Sequence, residues 1–307
     1  MRYSNLHTHS TFSDGKHSLE ENVLSAIEKK MISLGFSDHS FTGPDSSYCM
    51  RLEQYETYLD EIARLKEMYA DQLSIYSGLE LDYYSMVQGI PVCGKDLESG
   101  MLDSDSVVKD PPVFALSELN RFDYIIASVH YIVINGICYP IDHSPEQQLH
   151  CIQNSFDGDI YAMAQCYFDL LCGHVERVKP TVVGHFDVIT KFSLMPEEEE
   201  RYRAIACNAL KRILPTCPYI EVNTGAIARG WRKEPYPAHY LLETILKEGG
   251  EVVLGSDSHH KDNLTFYFDE TVALLKTIGF DHISVFNGSG FTQVPLTWDS
   301  HNIPVPK

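Results

Sequence analysis

Positive charge is scarce in this sequence. Its 307 residues hold 24 Lys and Arg against 43 Asp and Glu, a formal net charge of −19. A field of that sign repels phosphate backbones and anionic membranes, so neither nucleic acid nor membrane is an expected partner. It suits a cationic partner, or divalent metals that cancel part of the carboxylate charge. Long hydrophobic runs are missing too. None approaches the roughly 18 residues of a membrane helix; the strongest, 124–134, is strand-length and broken by His130. The opening Met1-Arg2-Tyr3-Ser4 carries no secretory apolar region. None of the eight cysteines forms a C-x-x-C pair, and several sit in apolar stretches, as small buried side chains do. A chain this long needs no disulfide staples. The expectation is a reduced, soluble, cytoplasmic protein.

Ready-made catalytic loops are also lacking. Gly288-Ser289-Gly290 is too short for a phosphate or dinucleotide loop. Gly255-Ser256-Asp257-Ser258-His259 lacks the closing glycine of a nucleophile elbow. No cysteine has local support as a nucleophile, and there is no internal repeat or low-complexity tract. With 44% hydrophobic and 22% charged residues the chain does not read as disordered. Its length allows one large barrel-like domain or two ordinary ones.

What is present is an alternation of β-like runs with helical patterns. Strands are expected at 3–6, 34–37, 73–77, 124–128, 181–184, 219–222 and 252–255, with a further run at 283–286. Helices are expected at 18–31, 52–69, 159–175, 196–214, 238–248 and 268–277. Ser18-Leu19-Glu20-Glu21 reads as a capping box, and Pro196 fits a first helical turn. Seven or eight β-then-α units argue for an α/β fold around a parallel sheet, open or closed into a barrel. Residues 85–120, rich in Gly, Pro, Asp and Ser, break the rhythm as a surface insertion or a lid. The whole of 1–307 reads as one domain.

Metal-capable side chains fall at the strand ends. His7 and His9 follow the first strand, with Asp14 beyond; His39 follows the second; Glu80 closes the third, His130 the fourth, His185 the fifth, and Asp257 and His259 the seventh. In a parallel barrel those ends converge on one face, and His7 and His9, two apart on an extended segment, point the same way. Six imidazoles and three carboxylates gathered without cations would cost far too much in repulsion and desolvation. The count suits two or three ions, with Glu80 and Asp257 as natural bridges, and mixed imidazole and carboxylate suits zinc, iron or manganese. Asp187 and Asp38 read as partners orienting ligating histidines, and Asp82 as another or as facing the substrate. His17 and His260 are near enough in sequence for a supporting or substrate role. His143, His150, His174, His239, His282 and His301 read as surface or capping residues.

These residues resemble the polymerase-and-histidinol-phosphatase (PHP) superfamily. The resemblance rests on His7-Thr8-His9, Ser37-Asp38-His39, Gly78-Leu79-Glu80, Ser128-Val129-His130, Gly184-His185-Phe186-Asp187 and Gly255-Ser256-Asp257-Ser258-His259. Ser13-Asp14-Gly15-Lys16 and 221–230, followed by Pro235-Tyr236-Pro237, are similar to its monofunctional histidinol-phosphatase branch. The resemblance implies a distorted (β/α)7 TIM-like barrel with a trinuclear metal site that hydrolyses L-histidinol phosphate to L-histidinol and phosphate in histidine biosynthesis. By position, His7, His9, Glu80 and Asp257 would hold one metal, Glu80, His130 and His185 a second, and Asp14, His39 and His259 a third. Arg229 would contact phosphate. Asn223, at the end of the sixth strand, and His17, near the cluster in sequence, are further candidate substrate contacts on their own positions. The nucleophile expected is a hydroxide bridging two metals, which makes a side-chain nucleophile unnecessary. The segment 85–120 matches nothing in the branch, and His17 stands where the branch often has a small or polar residue. Two other readings fit: a PHP-type phosphoesterase acting on a different phosphomonoester or a phosphoprotein, and a non-catalytic, metal-stabilised binding module.

Overall fold

Strands buried on both faces read as continuous apolar runs, and the runs identified above pair in that manner. The computed structural model describes residues 3–42, 47–86, 114–135 and 137–296. In chain order the strands are β1 (Ser4–Asn5), β2 (Ser33–Phe36), β3 (Ser74–Asp82), β4 (Tyr124–Ser128), β5 (Tyr131–Ile134), β6 (Ile137–Pro140), β7 (Val182–Val183), β8 (Tyr219–Asn223), β9 (Glu251–Gly255), β10 (His282–Phe286) and β11 (Phe291–Pro295). One sheet runs β1-β2-β3-β4-β7-β8-β9 with every neighbour parallel. Just past the strand ends Thr8 pairs in parallel with Ser258. There His9 N donates to Ser258 O (2.9 Å) and Ser258 N to His7 O (3.2 Å). These bonds draw first and last strands together into a distorted (β/α)7 TIM-like barrel.

The barrel interior is filled by Leu6, Tyr124, Ile126, Val182 and Val253, with Phe286 from outside the sheet. The Tyr124 hydroxyl donates to Leu6 O at 2.5 Å. Its ring leaves no room for a side chain at Gly78, where a Cβ would lie 2.1 Å from Tyr124 Cζ.

The eighth expected strand does not join the barrel. β10 pairs antiparallel with β11 instead. Phe286 packs on Tyr76 (ring centroids 5.1 Å) and Phe291 stacks on Tyr219 (3.8 Å). Both tyrosines sit at the starts of their strands, so the hairpin covers the end of the barrel opposite the strand C-termini. A second hairpin, β5–β6, was not anticipated.

The helices are α1 (Leu19–Glu28), α2 (Tyr55–Met68), α3 (Pro145–Ser155), α4 (Ile160–Val178), α5 (Glu200–Ile213), α6 (Gly225–Ala228), α7 (His239–Lys247) and α8 (Phe268–Ile278). The capping box forms: Glu21 N donates to Ser18 Oγ (3.2 Å) and Ser18 N to Glu21 Oε2 (2.9 Å). Asp159 caps α4, accepting from Tyr161 N and Ala162 N. Pro196 is not in a first helical turn, because α5 begins at Glu200 and Pro196 belongs to the turn ahead of it. α3, capped by Ser144, was not anticipated.

Most of the expected insertion or lid at 85–120, together with Cys93, lies outside the described residues, as does His301. At the described ends of that segment Phe114 N donates to Ser85 O (2.9 Å). The seven described cysteines are free thiols. No helix among the described residues is long and apolar enough to cross a membrane.

Candidate metal centre

The strand C-termini deliver their polar side chains into one volume. Asn5, at the end of β1, ties the two closing strands together: its Nδ2 donates to Ser256 Oγ (2.8 Å) and its Oδ1 accepts from His7 N (3.0 Å) and Ser256 N (3.2 Å). That knot places His7 and His9 against Asp257. Asp257 adopts φ +46°, left-handed backbone that a non-glycine residue holds only when its surroundings enforce it.

Glu80 is the hub. Its Oε2 lies 2.8 Å from His39 Nδ1, 3.3 Å from His7 Nε2 and 3.6 Å from His9 Nε2. Its Oε1 lies 2.8 Å from His185 Nε2 and 3.4 Å from His130 Nε2, and accepts from Ser128 Oγ at 2.7 Å. Asp257 Oδ1 stands 3.2 Å from His9 Nε2 and 3.8 Å from His7 Nε2. Asp14 closes the other side, 3.0 Å from His259 Nε2, 3.7 Å from His39 Nε2 and 3.8 Å from His9 Nδ1. All nine expected side chains therefore share one constellation. Their donor atoms fall into groups within 4.8 Å of one another: His9 with Asp14, His39 and His259; His7 with Glu80 and His185; His7 with His9 and Asp257; His39 with Glu80 and His130.

The donor set fits metal ions on an observation independent of spacing. His7 Nε2 and both ring nitrogens of His9 are buried without a hydrogen bond among the described residues, although carboxylate oxygens stand 3.2–3.8 Å away. Buried polar atoms are rarely left so. Protonation shows the same demand for positive charge. Burial works against charging His7, yet Glu221, Glu80 and Asp257 lift its pKa well above the ordinary value. Glu80 lifts His39 and His130 against the same burial. Burial would raise the acids, but the surrounding imidazoles and, at Asp257, Arg229 hold Glu80 and Asp257 well below the carboxylate range. Burial next to His259 and His39 drives His9 down to about 3, into the neutral form that ligates metal.

Orienting contacts differ in part from those expected. Asp82 Oδ2 accepts from His130 N (3.0 Å) and sits 3.1 Å from His130 Nδ1, so it directs Nε2 into the centre. Glu221, which drew no assignment from sequence, does the same for His7 through Nδ1 (2.7 Å), and its other oxygen accepts from His185 N (2.8 Å). The signal was available: a carboxylate inside the apolar run 219–223. Asp38 and Asp187 do not touch the rings of the candidate ligands. Asp38 accepts from the backbone and hydroxyls of Ser10 and Ser13, pinning the loop that carries Asp14. Asp187 accepts from Ala238 N (2.9 Å) and lies under the charge of Arg232.

A cavity of about 380 Å³ opens onto this centre, lined among others by Asp14, His39, Tyr48, His130, Asp142, His185, Lys191, Arg229, Asp257 and His259. Arg229 follows the short α6, its Nη2 on Asp257 Oδ2 (2.7 Å) and Nη1 on Asp257 O (3.1 Å). Asn223 does not line the cavity; its amide is spent on Glu221 Oε2 (2.9 Å) and Gly225 N (2.8 Å). His17 is outside it as well, beside Glu21 and edge-on to His260. One histidine departs from the surface reading: His174 is buried with Nε2 on Leu81 O (2.8 Å); His143 is exposed and lines the cavity.

The PHP domain family matches residues 5–225, nearly three quarters of the chain. The chain belongs to the PHP family. Among curated PHP relatives, a probable histidinol-phosphatase of Schizosaccharomyces pombe is 27% identical over 270 residues, covering 81% of this chain and 78% of that protein. A probable histidinol-phosphatase of Deinococcus radiodurans is 26% identical, covering 84% and 86%. Two solved structures share the fold at 20% identity. The putative histidinol phosphatase HisK of Listeria monocytogenes gives a TM-score of 0.68, covering 87% of this chain and 99% of that one. The Lactococcus lactis enzyme, solved with zinc, L-histidinol and phosphate, gives 0.59, covering 95% and 99%.

Proposed function

We propose that this PHP protein is a metal-dependent phosphatase that hydrolyses L-histidinol phosphate to L-histidinol and phosphate. The observation that carries the reading is the convergence of nine ligand-type side chains, six of them lining one cavity together with Arg229. The curated relatives, named histidinol-phosphatases along most of their length, support the substrate. The zinc in the Lactococcus lactis structure supports a divalent metal.

His7, His9, Glu80 and Asp257 would hold one ion, Glu80, His130 and His185 a second, and Asp14, His39 and His259 a third. When bound, such ions supply Lewis-acid stabilisation of the phosphoryl oxygens and lower the pKa of water. The chain's own residues do the positioning. Glu221 and Asp82 fix the rings of His7 and His130, and Asp257 aims Arg229 so that its guanidinium meets the phosphate oxygens with charge-assisted donors. Burial of the ligands keeps bulk water from screening these charges.

The test is a phosphate-release assay on the metal-loaded enzyme with L-histidinol phosphate, nucleoside monophosphates and a phosphotyrosine peptide. L-histidinol phosphate should give the highest kcat/KM. Faster turnover of a nucleotide or the phosphopeptide would refute the assignment.

A further inference from the structure

Part of the cavity lining lies outside the nine candidate ligands. Besides six of these and Arg229 it is lined by Tyr48, Tyr131, Pro140, Asp142, Val188 and Lys191, among others. Asp142 and Lys191 are paired there. The Lys191 ammonium donates to Asp142 O (2.5 Å) and lies 3.3 Å from Asp142 Oδ2. Both interactions turn Lys191 inward, and its side chain is 11% exposed against 26% for Asp142. The accessible half of the pair is the acid. Asp142 Oδ1 carries no hydrogen bond among the described residues. Burial works against its charge, but Lys191 and then His130 and His185 keep it a carboxylate. Nearby, the Tyr48 hydroxyl is buried with no hydrogen-bond partner among the described residues. Its ring stands edge-on to His39 (4.8 Å) and roughly parallel to Tyr131 (6.5 Å).

We propose that Asp142, on the lining of this cavity, receives the cationic amine of the substrate and so selects amino-alcohol phosphates over other phosphomonoesters. This rests on the reading of the chain as a histidinol-phosphate phosphatase and adds what that reading leaves open, the residue that reads the amine. The geometry suits that substrate. Its ammonium is borne on the carbon next to the one that carries the ester oxygen, so an amine site must lie close to the phosphate site. Asp142 is near enough for its charge to act on His130, His185 and Arg229. Phosphate goes to the metals and Arg229, the ammonium to Asp142, and the imidazole to the slot walled by Tyr48, Tyr131, Pro140 and Val188. An ammonium on a partly exposed carboxylate inside a cavity is a charge-assisted contact, and a substrate lacking it leaves the acid without that partner.

The experiment compares L-histidinol phosphate with its deamino counterpart, 3-(imidazol-4-yl)propyl phosphate, on the metal-loaded enzyme. Wild type should favour the amine-bearing ester by roughly 10- to 100-fold in kcat/KM. Asp142→Asn should shrink that preference by roughly tenfold, chiefly through KM for the amine-bearing ester. A preference unchanged in Asp142→Asn, as a purely structural pairing with Lys191 would give, overturns the proposal. If Asp142→Asn does not fold, wild type still decides. L-histidinol should inhibit roughly tenfold more tightly than 3-(imidazol-4-yl)propanol, and equal inhibition overturns the proposal. Equal turnover of the two imidazole esters by wild type defeats the inference alone. Turnover of some other phosphomonoester and of neither imidazole ester defeats the proposed function, and the inference with it.

Discussion

Replacing Glu221 by Gln sets one amide against three donors. In the native protein Glu221 Oε1 accepts from His7 Nδ1 (2.7 Å), while Oε2 accepts from His185 N (2.8 Å) and Asn223 Nδ2 (2.9 Å). Glutamine offers a single carbonyl oxygen. If that oxygen serves His185 and Asn223, the amide NH2 faces His7 Nδ1. The ring must then carry its proton on Nε2, the atom that points at Glu80 and Asp257. If the oxygen serves His7, the NH2 collides with two other donors. The side chain has little room to escape, since Gly255 is what leaves space for it: a Cβ there would lie 1.8 Å from Glu221 Oε1. Losing one charged, buried hydrogen bond costs about 1.5–3 kcal/mol. Disturbing a partner that orients a metal ligand costs about 10- to 100-fold in affinity, which is the same size of effect. The assay is bound metal by plasma mass spectrometry after dialysis against graded chelator, with near-UV circular dichroism to show that the fold survives. Glu221→Gln should release metal at roughly 10- to 100-fold lower chelator and lose turnover in step. Metal retention and turnover indistinguishable from wild type would refute the reasoning.

Three further outcomes follow from the same contacts. Arg229→Ala should keep its metals but lose roughly 10- to 100-fold in kcat/KM for the phosphomonoester, the worth of a charge-assisted phosphate contact; unchanged kinetics would remove Arg229 from the site. Gly78→Ala drives a methyl into the Tyr124 ring and should destabilise the barrel by about 1–3 kcal/mol in urea unfolding; wild-type stability would show that the ring is free to move. His282→Gln tests a pH-dependent tie. Burial opposes its charge, but Asp281 and Glu251 raise the His282 pKa above 6.5, while Ser284 and His282, against burial, lower that of Glu251 below 4.5. The histidine's contribution is full below 6.5 and fades as pH rises through its folded value. That of Glu251 is full above 4.5 and fades as pH falls through its folded value. The substitution should therefore cost about 0.5–1 kcal/mol near pH 5.5 and less near pH 8.5. Equal cost at both would exclude the pairing.

The barrel and the gathering of the nine candidate ligands were legible because both follow from one regularity. A parallel strand buried on both faces is a short apolar run, and the residues at or just past its C-terminal end face the common rim. His39, Glu80, His130 and His185 are visible on that ground alone. What sequence order does not carry is the direction of a neighbouring side chain. Asp38 and Asp187 lie next to or two residues from ligating histidines, yet turn to the Ser10–Ser13 loop and to Ala238. Asn223 ends its strand like the ligands, but its amide faces backward onto Glu221. The β5–β6 hairpin was hidden because 124–134 reads as one apolar run, where His130 separates β4 from β5. Asp142 and Lys191 meet only through folding, 49 residues apart.

The central claim is that these nine side chains gather around several shared divalent cations. Anomalous diffraction from crystals grown with excess zinc, iron or manganese, collected at each metal's absorption edge, tests it most directly. The expected result is two or three peaks enclosed by His7, His9, Asp14, His39, Glu80, His130, His185, Asp257 and His259, with Glu80 shared between two of them. Crystals saturated with metal that show no peak among these residues would contradict it.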